Sequence, residues 1–355
     1  MQEHTNGCPQ RNRPMKKGII LQLILVLTFQ LFAQQQEKRN FKIMCYNVEN
    51  FFDCIHDSLS NDREFLPTGI RGWNNTKYER KQAHIAKVIS AIGGWDAPAL
   101  VGLCEVENNK CLIDLTHYSG LKNLKYKFLH HESPDPRGID VALLYQSDQF
   151  KPIHDEAIRI RYPKSPESKT RDILFVTGII PNGDTLHIFV CHLPSRLAGE
   201  NESEENRMFV ASVIRAKADS LFKVTHQPKI IIMGDFNDSP MNLSLVGILK
   251  AQPIQGTSSP ANLYNLMYNM QLEGKGTNKY KGEWVVLDQI IVSGVLLNST
   301  GSFFTGQKDA HIFEADFLLE NDAAFLGKQP FRTYNGMKYH DGYSDHLPVY
   351  ADFWY

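Results

Sequence analysis

Short apolar runs rich in β-branched residues recur along this chain, and each tends to end on a residue able to do chemistry. Ile43-Met44-Cys45-Tyr46 runs into Asn47 and then Glu49, and Leu100-Val101-Gly102-Leu103-Cys104 runs into Glu105. Ile188-Phe189-Val190-Cys191 runs into His192, and Ile230-Ile231-Ile232-Met233-Gly234 into Asp235 and Asn237. Runs of this length and composition read as buried strands. They predict strands over residues 41–46, 99–104, 141–145, 173–179, 186–191, 229–233, 285–292 and 348–353. Helical periodicity appears over residues 76–92, with Ile85, Val88, Ile89 and Ile92 on one face, and over 204–222, with Phe209, Val213, Ala216 and Leu221. Polar or Pro- and Gly-containing loops fill residues 53–75, 131–138 and 193–203, and 305–342 reads as irregular. No repeat or linker interrupts residues 41–355, which predicts one α/β domain. Two packed sheets with helices outside accommodate a chain of that size better than a single core.

The first segment has a different character. Lys16-Lys17 precede an apolar run over residues 19–32, followed by Ala33 and then Gln34-Gln35-Gln36. A charged region, a short apolar stretch and a small residue before a polar one mark a secretory signal. Residues 1–33 are therefore expected to be a cleaved signal, with Met15 the more usual start and residues 1–14 an upstream extension. Residues 34–40 read as a polar leader. Leu31 makes the cleavage site imperfect, so the alternative is an uncleaved membrane anchor, although the run is shorter than the ~20 apolar residues that span a bilayer. The expected location is secreted or periplasmic.

Formal net charge is -1, so no whole-protein field draws in nucleic acid or an anionic membrane. Six cysteines are present. Setting aside Cys8, an odd number remains, which argues against a complete disulfide framework. Cys45, Cys104 and Cys191 lie in apolar runs as small core residues. Cys54 and Cys111 form the one pair with a case for a bridge.

The polar residues at strand ends point to one chemistry. Carboxylates and an amide carbonyl are hard oxygen ligands suited to Mg²⁺ or Mn²⁺, and Ca²⁺ also suits them. Two histidines with acidic partners supply an acid, a base or a phosphate contact. A cluster of carboxylates would repel an anionic phosphate ester unless a metal and cationic side chains offset it. Each residue also has a plainer reading. Asp235 and Asn237 commonly cap turns, Glu105 suits a strand end, His192 suits a core, and His346 beside Asp345 suits a structural pair. Asp288 is placed inside an apolar strand, where a buried carboxylate needs a partner.

Gly234-Asp235-Phe236-Asn237, Ser344-Asp345-His346, Leu287-Asp288-Gln289-Ile290 between them, and Glu105 after an upstream strand together resemble the endonuclease/exonuclease/phosphatase superfamily. The resemblance spans Tyr46-Asn47-Val48-Glu49-Asn50 to Ser344-Asp345-His346. It implies a four-layer α/β sandwich of two packed, mostly antiparallel sheets flanked by helices, and metal-dependent hydrolysis of phosphate esters by direct water attack. It also implies roles. Glu105 would be the main metal ligand, with Asn47 beside it and Asp345 as a second ligand. Asp235 would orient or deprotonate the attacking water, and Asn237 would contact phosphate or steady that water. His346 would contact the scissile phosphate while Asp288 orients it, and His192 would be the other catalytic histidine. Arg137 stands where family members carry a phosphate contact, and its fork geometry suits that task.

The substrate stays open between classes. The favoured reading is a secreted endonuclease on nucleic acid phosphodiesters. For it, Arg71, Trp73, Lys77, Tyr78, Arg80 and Lys81 would line a backbone groove, or else form the solvated face of a helix. Arg196 and Arg207 flank the loop after His192 as grips for a further phosphate. The alternative is a phosphatase or phosphodiesterase on small or lipid phosphates, and a more remote one is a non-catalytic binding module. Nothing in the sequence marks an obligate protein partner.

Overall fold

Phe41, Ile43 and Cys45 face one hydrophobic layer and Met44, Tyr46 and Val48 face another, so strand β1 (Asn40–Phe51) is buried on both sides. Alternation at period two with both faces apolar requires material above and below the sheet. The computed structural model describes residues 1–4, 39–196 and 199–355. Residues 5–38, which hold nearly all of the predicted signal and most of the polar leader, lie outside them.

The strands follow in chain order: β2 (Leu100–Val106), β3 (Lys127–His130), β4 (Asp140–Tyr145), β5 (Lys151–Ile158), β6 (Ile173–Ile179), β7 (Thr185–His192), β8 (Lys229–Asp235), β9 (Ala251–Gln252), β10 (Leu263–Asn265), β11 (Asn278–Tyr280), β12 (Glu283–Val285), β13 (Asp288–Ser293), β14 (Ala310–Ile312) and β15 (Val349–Trp354). One sheet has six strands in the order β14-β15-β1-β2-β4-β3, and the other has seven in the order β5-β6-β7-β8-β13-β10-β9. Most neighbours are antiparallel, but β1–β2, β7–β8 and β9–β10 are parallel, so both sheets are mixed. The inner faces pack together through Ile43, Cys45, Ile188, Val190, Ile231 and Met233.

Helices cover the outer faces and complete four layers. Helix α1 (Asn75–Gly93) is capped by the Asn74 side chain, which accepts from Lys77 N, and buries Ile85, Val88, Ile89 and Ile92 against the six-stranded sheet. Helix α2 (Asn109–His117) packs on the same side through Cys111, Leu112 and Leu115. Helix α3 (Glu200–Val224) covers the seven-stranded sheet. Its fully buried face is Val210, Ala211, Ile214, Ala218 and Leu221; of the predicted face, Leu221 lies in it, Phe209 and Val213 pack half-buried at its margin, and Ala216 is exposed. Among the described residues no helix is long and apolar enough to cross a membrane.

Several elements depart from the sequence reading. The strand predicted over 285–292 is two strands, because Thr277 Oγ1 accepts from both Leu287 N and Asp288 N and ends one ladder before the next begins. Asp288 therefore opens β13 rather than lying inside a strand. Strands β3, β5, β9, β10, β11 and β14 and helix α2 were not predicted. Strand β5 lies at a sheet edge and is half exposed, which weakens its apolar signal. Cys54 and Cys111 are free thiols.

Gly234 shows why its motif begins with glycine. Its φ is 155°, and an added Cβ would overlap the Cys191 carbonyl of the neighbouring strand. Gly120 by contrast has only an ordinary contact, 3.7 Å to Ala86 Cβ. Gly234→Ala is expected to cost more than about 3 kcal/mol of stability in denaturant titration, and Gly120→Ala less than about 1 kcal/mol. Equal effects would contradict this packing.

Candidate active site

The inner-face residues of three strands run off the end of the hydrophobic layer onto polar side chains. In β1 the inner series Phe41, Ile43, Cys45 continues to Asn47. In β7 Leu186, Ile188 and Val190 continue to His192, and in β8 Ile231 and Met233 continue to Asp235. Strand β13 runs antiparallel to β8 and sets Asp288 opposite Asp235. The layer that holds the sheets together thus ends in a row of aligned polar groups.

Asp235 is the meeting point. Its Oδ2 accepts from Asn47 Nδ2 at 2.9 Å, across from the other sheet, and its Oδ1 accepts from Asn237 N at 2.8 Å. Both imidazoles face the same carboxylate oxygen. His192 Nε2 lies 3.5 Å from Oδ2 and His346 Nε2 lies 3.8 Å from it. His346 Nδ1 is held by Asp288 Oδ2 at 2.7 Å. Ser344 Oγ donates to Asn47 O at 2.7 Å and accepts from His346 N at 3.1 Å, so the first and last motifs are tied directly.

The two histidines are driven to opposite charge states. Burial disfavours the His346 imidazolium, but Asp288 and Asp235 outweigh it and hold the ring protonated well above its ordinary range. Burial, then Arg171 and Arg137, push His192 well below that range, so it is neutral. Its Nδ1 is buried and has no hydrogen-bond partner. Burial raises Asp235 to about 6, with His346 opposing the rise. A neutral and a cationic imidazole on one carboxylate is the separation of roles that acid–base catalysis uses.

Other supports were not evident in the sequence. Arg171 donates to His192 O at 3.1 Å and Leu193 O at 3.0 Å while pairing with Asp135 at 2.8 Å, all buried. It fixes the His192 turn and contributes the positive charge that keeps the ring neutral. No motif flagged it, because its partners lie on separate loops. Asn237 sits at φ 50°, and its Nδ2 donates to Leu193 O and to Asp235 Oδ2, so its amide donors tie the Asp235 turn to the segment after His192.

Glu105 lies in a bulge, at φ 66°, where the β2–β4 register shifts. A bulge re-aims a side chain at the end of a ladder. Glu105 Oε2 accepts from Asn50 N at 2.8 Å and lies 3.7 Å from Arg137 Nη2, which also donates to Asn50 Oδ1 at 2.6 Å. Asp345 is ion-paired with Arg332 at 2.6 Å, and Arg332 also lies 3.8 Å from buried Glu49. Burial and then Asp345 raise Glu49 to about 7. The donor chemistry fits a hard divalent cation at Glu105: one oxygen takes no hydrogen bond from the protein, the side chain is 12% exposed, and the Asn47 amide oxygen shares the strand-end layer. At Asp345 a guanidinium already neutralises the carboxylate. Asp235, Asp288 and His346 also approach within 4.8 Å of one another; Asp288 Oδ2 already pairs with His346 Nδ1 at 2.7 Å, and the trio reads as an acid–base unit.

Arg196 donates to Asn237 O at 2.7 Å and Asp238 at 3.0 Å, and fully buried Arg207 meets the same Asp238 at 2.8 Å. Both brace the turn after Asp235. The groove suggested by residues 71–81 is not formed. Trp73 and Lys81 are buried, Tyr78 bonds Asp114, Lys77 bonds Arg71 O and Gly72 O, Arg71 pairs with Glu64, and Arg80 pairs with Asp341. These residues anchor α1 to the chain around it.

The model of the Endonuclease/Exonuclease/phosphatase family matches residues 42–353. The chain belongs to that family. With it the chain takes its place among metal-dependent phosphoester hydrolases. No curated protein matches it. Among solved structures it is similar to an endonuclease/exonuclease/phosphatase family protein from Bacteroides thetaiotaomicron, at 14% identity and TM-score 0.55, covering 90% of this chain and 96% of that one. It is also similar to a Bacteroides thetaiotaomicron mannosyl-6-phosphatase, at 15% identity and TM-score 0.53, covering 88% and 99%. A third is D. rerio TDP2 complexed with single strand DNA product, at 14% identity and TM-score 0.52, covering 88% and 98%. At these identities the likeness is one of fold.

Asp288→Asn removes the charge that holds the His346 proton. The imidazole titration, followed by NMR, is expected to move to lower pH, and turnover to fall by about a hundredfold or more. An unchanged titration would contradict the assignment.

Proposed function

We propose that the chain hydrolyses nucleic acid phosphodiesters by direct attack of water, with Asp235 as the base. The observation that carries this reading is the single Asp235 oxygen faced by Asn47, His192 and His346. Asp235 accepts a proton from water as the water oxygen bonds to phosphorus, and the phosphorus–oxygen ester bond opposite it breaks. His346, its Nδ1 fixed by Asp288, presents Nε2–H to a non-bridging phosphoryl oxygen, where negative charge accumulates. His192, neutral, directs Nε2–H toward the same Asp235 oxygen and steadies the carboxylate, and the departing oxygen takes its proton from solvent. Asn47 and Asn237 hold the carboxylate, and Arg137 binds the phosphate beside Glu105. Glu105 with the Asn47 carbonyl would hold a Mg²⁺ or Mn²⁺ ion, with Asp345 and Glu49 behind it. When bound, the ion supplies Lewis-acid polarisation of the phosphoryl group. No side chain needs to form a covalent intermediate.

The preference for nucleic acid draws on the likeness to the DNA-complexed TDP2 fold and on an open polar surface next to Arg137. A second reading, a phosphatase or phosphodiesterase on small or lipid phosphates, is favoured by the near-zero net charge and by the likeness to a mannosyl-6-phosphatase. Export to the periplasm or medium is part of the same proposal, supported by Lys16-Lys17 and the apolar run after them.

The deciding experiment is a substrate panel with Mg²⁺ or Mn²⁺, run beside Asp235→Ala on protein expressed with its own leader. Cleavage of single-stranded or plasmid DNA or of RNA is expected, with the variant slower by about 10²–10⁴-fold. Turnover of sugar or lipid phosphates alone would favour the second reading. Full activity in Asp235→Ala would sink the catalytic assignment, and full activity in excess EDTA the metal assignment. Mature protein beginning after Ala33 is expected outside the cytoplasm, and an intact leader would contradict cleavage.

A further inference from the structure

The loop after β1 and the loop before β4 close on each other beside Glu105. Asn61 N donates to Pro136 O at 2.8 Å, and Gly138, at φ 71°, lets Ser60 pack so closely that an added Cβ would come within 2.6 Å of Ser60 Cβ. Between these loops and the segment bearing Lys169 lies an open polar cleft of about 450 Å³, lined by Ser58, Ser60, Asn61, Arg63, Pro136 and Lys169 among others. Pro136 directly precedes Arg137, which reaches Asn50 and Glu105. The cleft thus lies one residue along the chain from the arginine that reaches Glu105.

The charges in the cleft differ from those that brace the rest of the site. Arg71, Arg80, Lys81, Arg171 and Arg332 are all committed to carboxylates or carbonyls. Among the described residues Arg63 and Lys169 are exposed, and their side chains have neither an ion pair nor a hydrogen bond. Ser60 Oγ is buried without a partner. The nearby carboxylate of Asp62 is turned inward, accepting from His56 Nδ1 at 2.6 Å and Asp57 N at 2.7 Å. Two free cations lining one polar cleft suit one kind of ligand, an anionic oxygen cluster.

We propose that this cleft is a second phosphate subsite, which holds the phosphodiester neighbouring the scissile one along a nucleic acid strand, with Arg63 and Lys169 as its cations. This rests on the nucleic acid reading above. It gives the chain its grip on a polymer despite a net charge of -1: the attraction is local.

The test compares the wild-type chain with Arg63→Ala/Lys169→Ala on a fluorescent single-stranded oligonucleotide and on bis(4-nitrophenyl) phosphate, which has no neighbouring phosphate. KM for the oligonucleotide is expected to rise about tenfold, and the slope of its logarithmic salt dependence to flatten by about 0.7 for each phosphate no longer neutralised. Kinetics on the small diester should stay unchanged. Lys169→Glu should weaken the oligonucleotide further and Lys169→Arg should restore it. Equal KM and equal salt dependence would overturn the subsite, as would an equal loss on both substrates. If the wild-type protein binds but does not cleave the oligonucleotide, the nucleic acid reading fails by itself. Fluorescence anisotropy then decides the cleft: weaker binding by the double variant supports it, and equal binding overturns it.

Discussion

A buried hydrogen bond from Asn47 to Asp235 joins the two sheets at the point where their shared hydrophobic layer stops. A carboxylate at that depth is costly unless it is well satisfied. Asn47, the Asn237 backbone and two imidazoles offset the cost, and each is placed by a different strand end. The register of both sheets therefore decides whether the site exists. Slipping β1 or β8 by one residue would turn Asn47 or Asp235 out of the layer. Gly234 belongs to the same constraint, because β8 approaches the Cys191 carbonyl too closely for a side chain.

From that junction the protonation pattern follows. Asp288 opens β13 directly across from Asp235, and its pairing with His346 keeps one ring charged. Arg171, braced by Asp135, both shapes the turn that carries His192 and adds the positive charge that keeps the other ring neutral. A phosphoryl group entering the site meets a base and a cation already fixed in place, so little reorganisation accompanies reaction.

The strand ends were legible in the sequence because buried strands produce apolar runs and their final polar residues stand out. Asn47, Glu105, His192 and Asp235 could be named that way, Asp288 from its place in an apolar run and His346 from the motif before the last one, and the four-layer arrangement followed from the family resemblance and from runs buried on both faces. What stayed hidden depends on contacts between distant segments. Arg171 and Arg332 look like any loop arginine until Asp135, Asp345 and Glu49 are seen beside them. The basic stretch after Arg71 looked free in sequence, whereas its side chains cap and tether α1. The cations of the cleft, Arg63 and Lys169, sit in no local pattern that would set them apart. Edge strand β5 was missed for a similar reason: half exposure dilutes the alternation that reveals inner strands.

The central claim is that Asp235 directs water onto phosphorus in one step, without an enzyme-bound intermediate. Stereochemistry at phosphorus tests this most directly. With a chiral phosphorothioate diester that the enzyme cleaves, in isotopically labelled water, a single in-line displacement inverts the configuration, and inversion is the result expected here. Retention would require two displacements and a covalent intermediate, and would contradict the role assigned to Asp235.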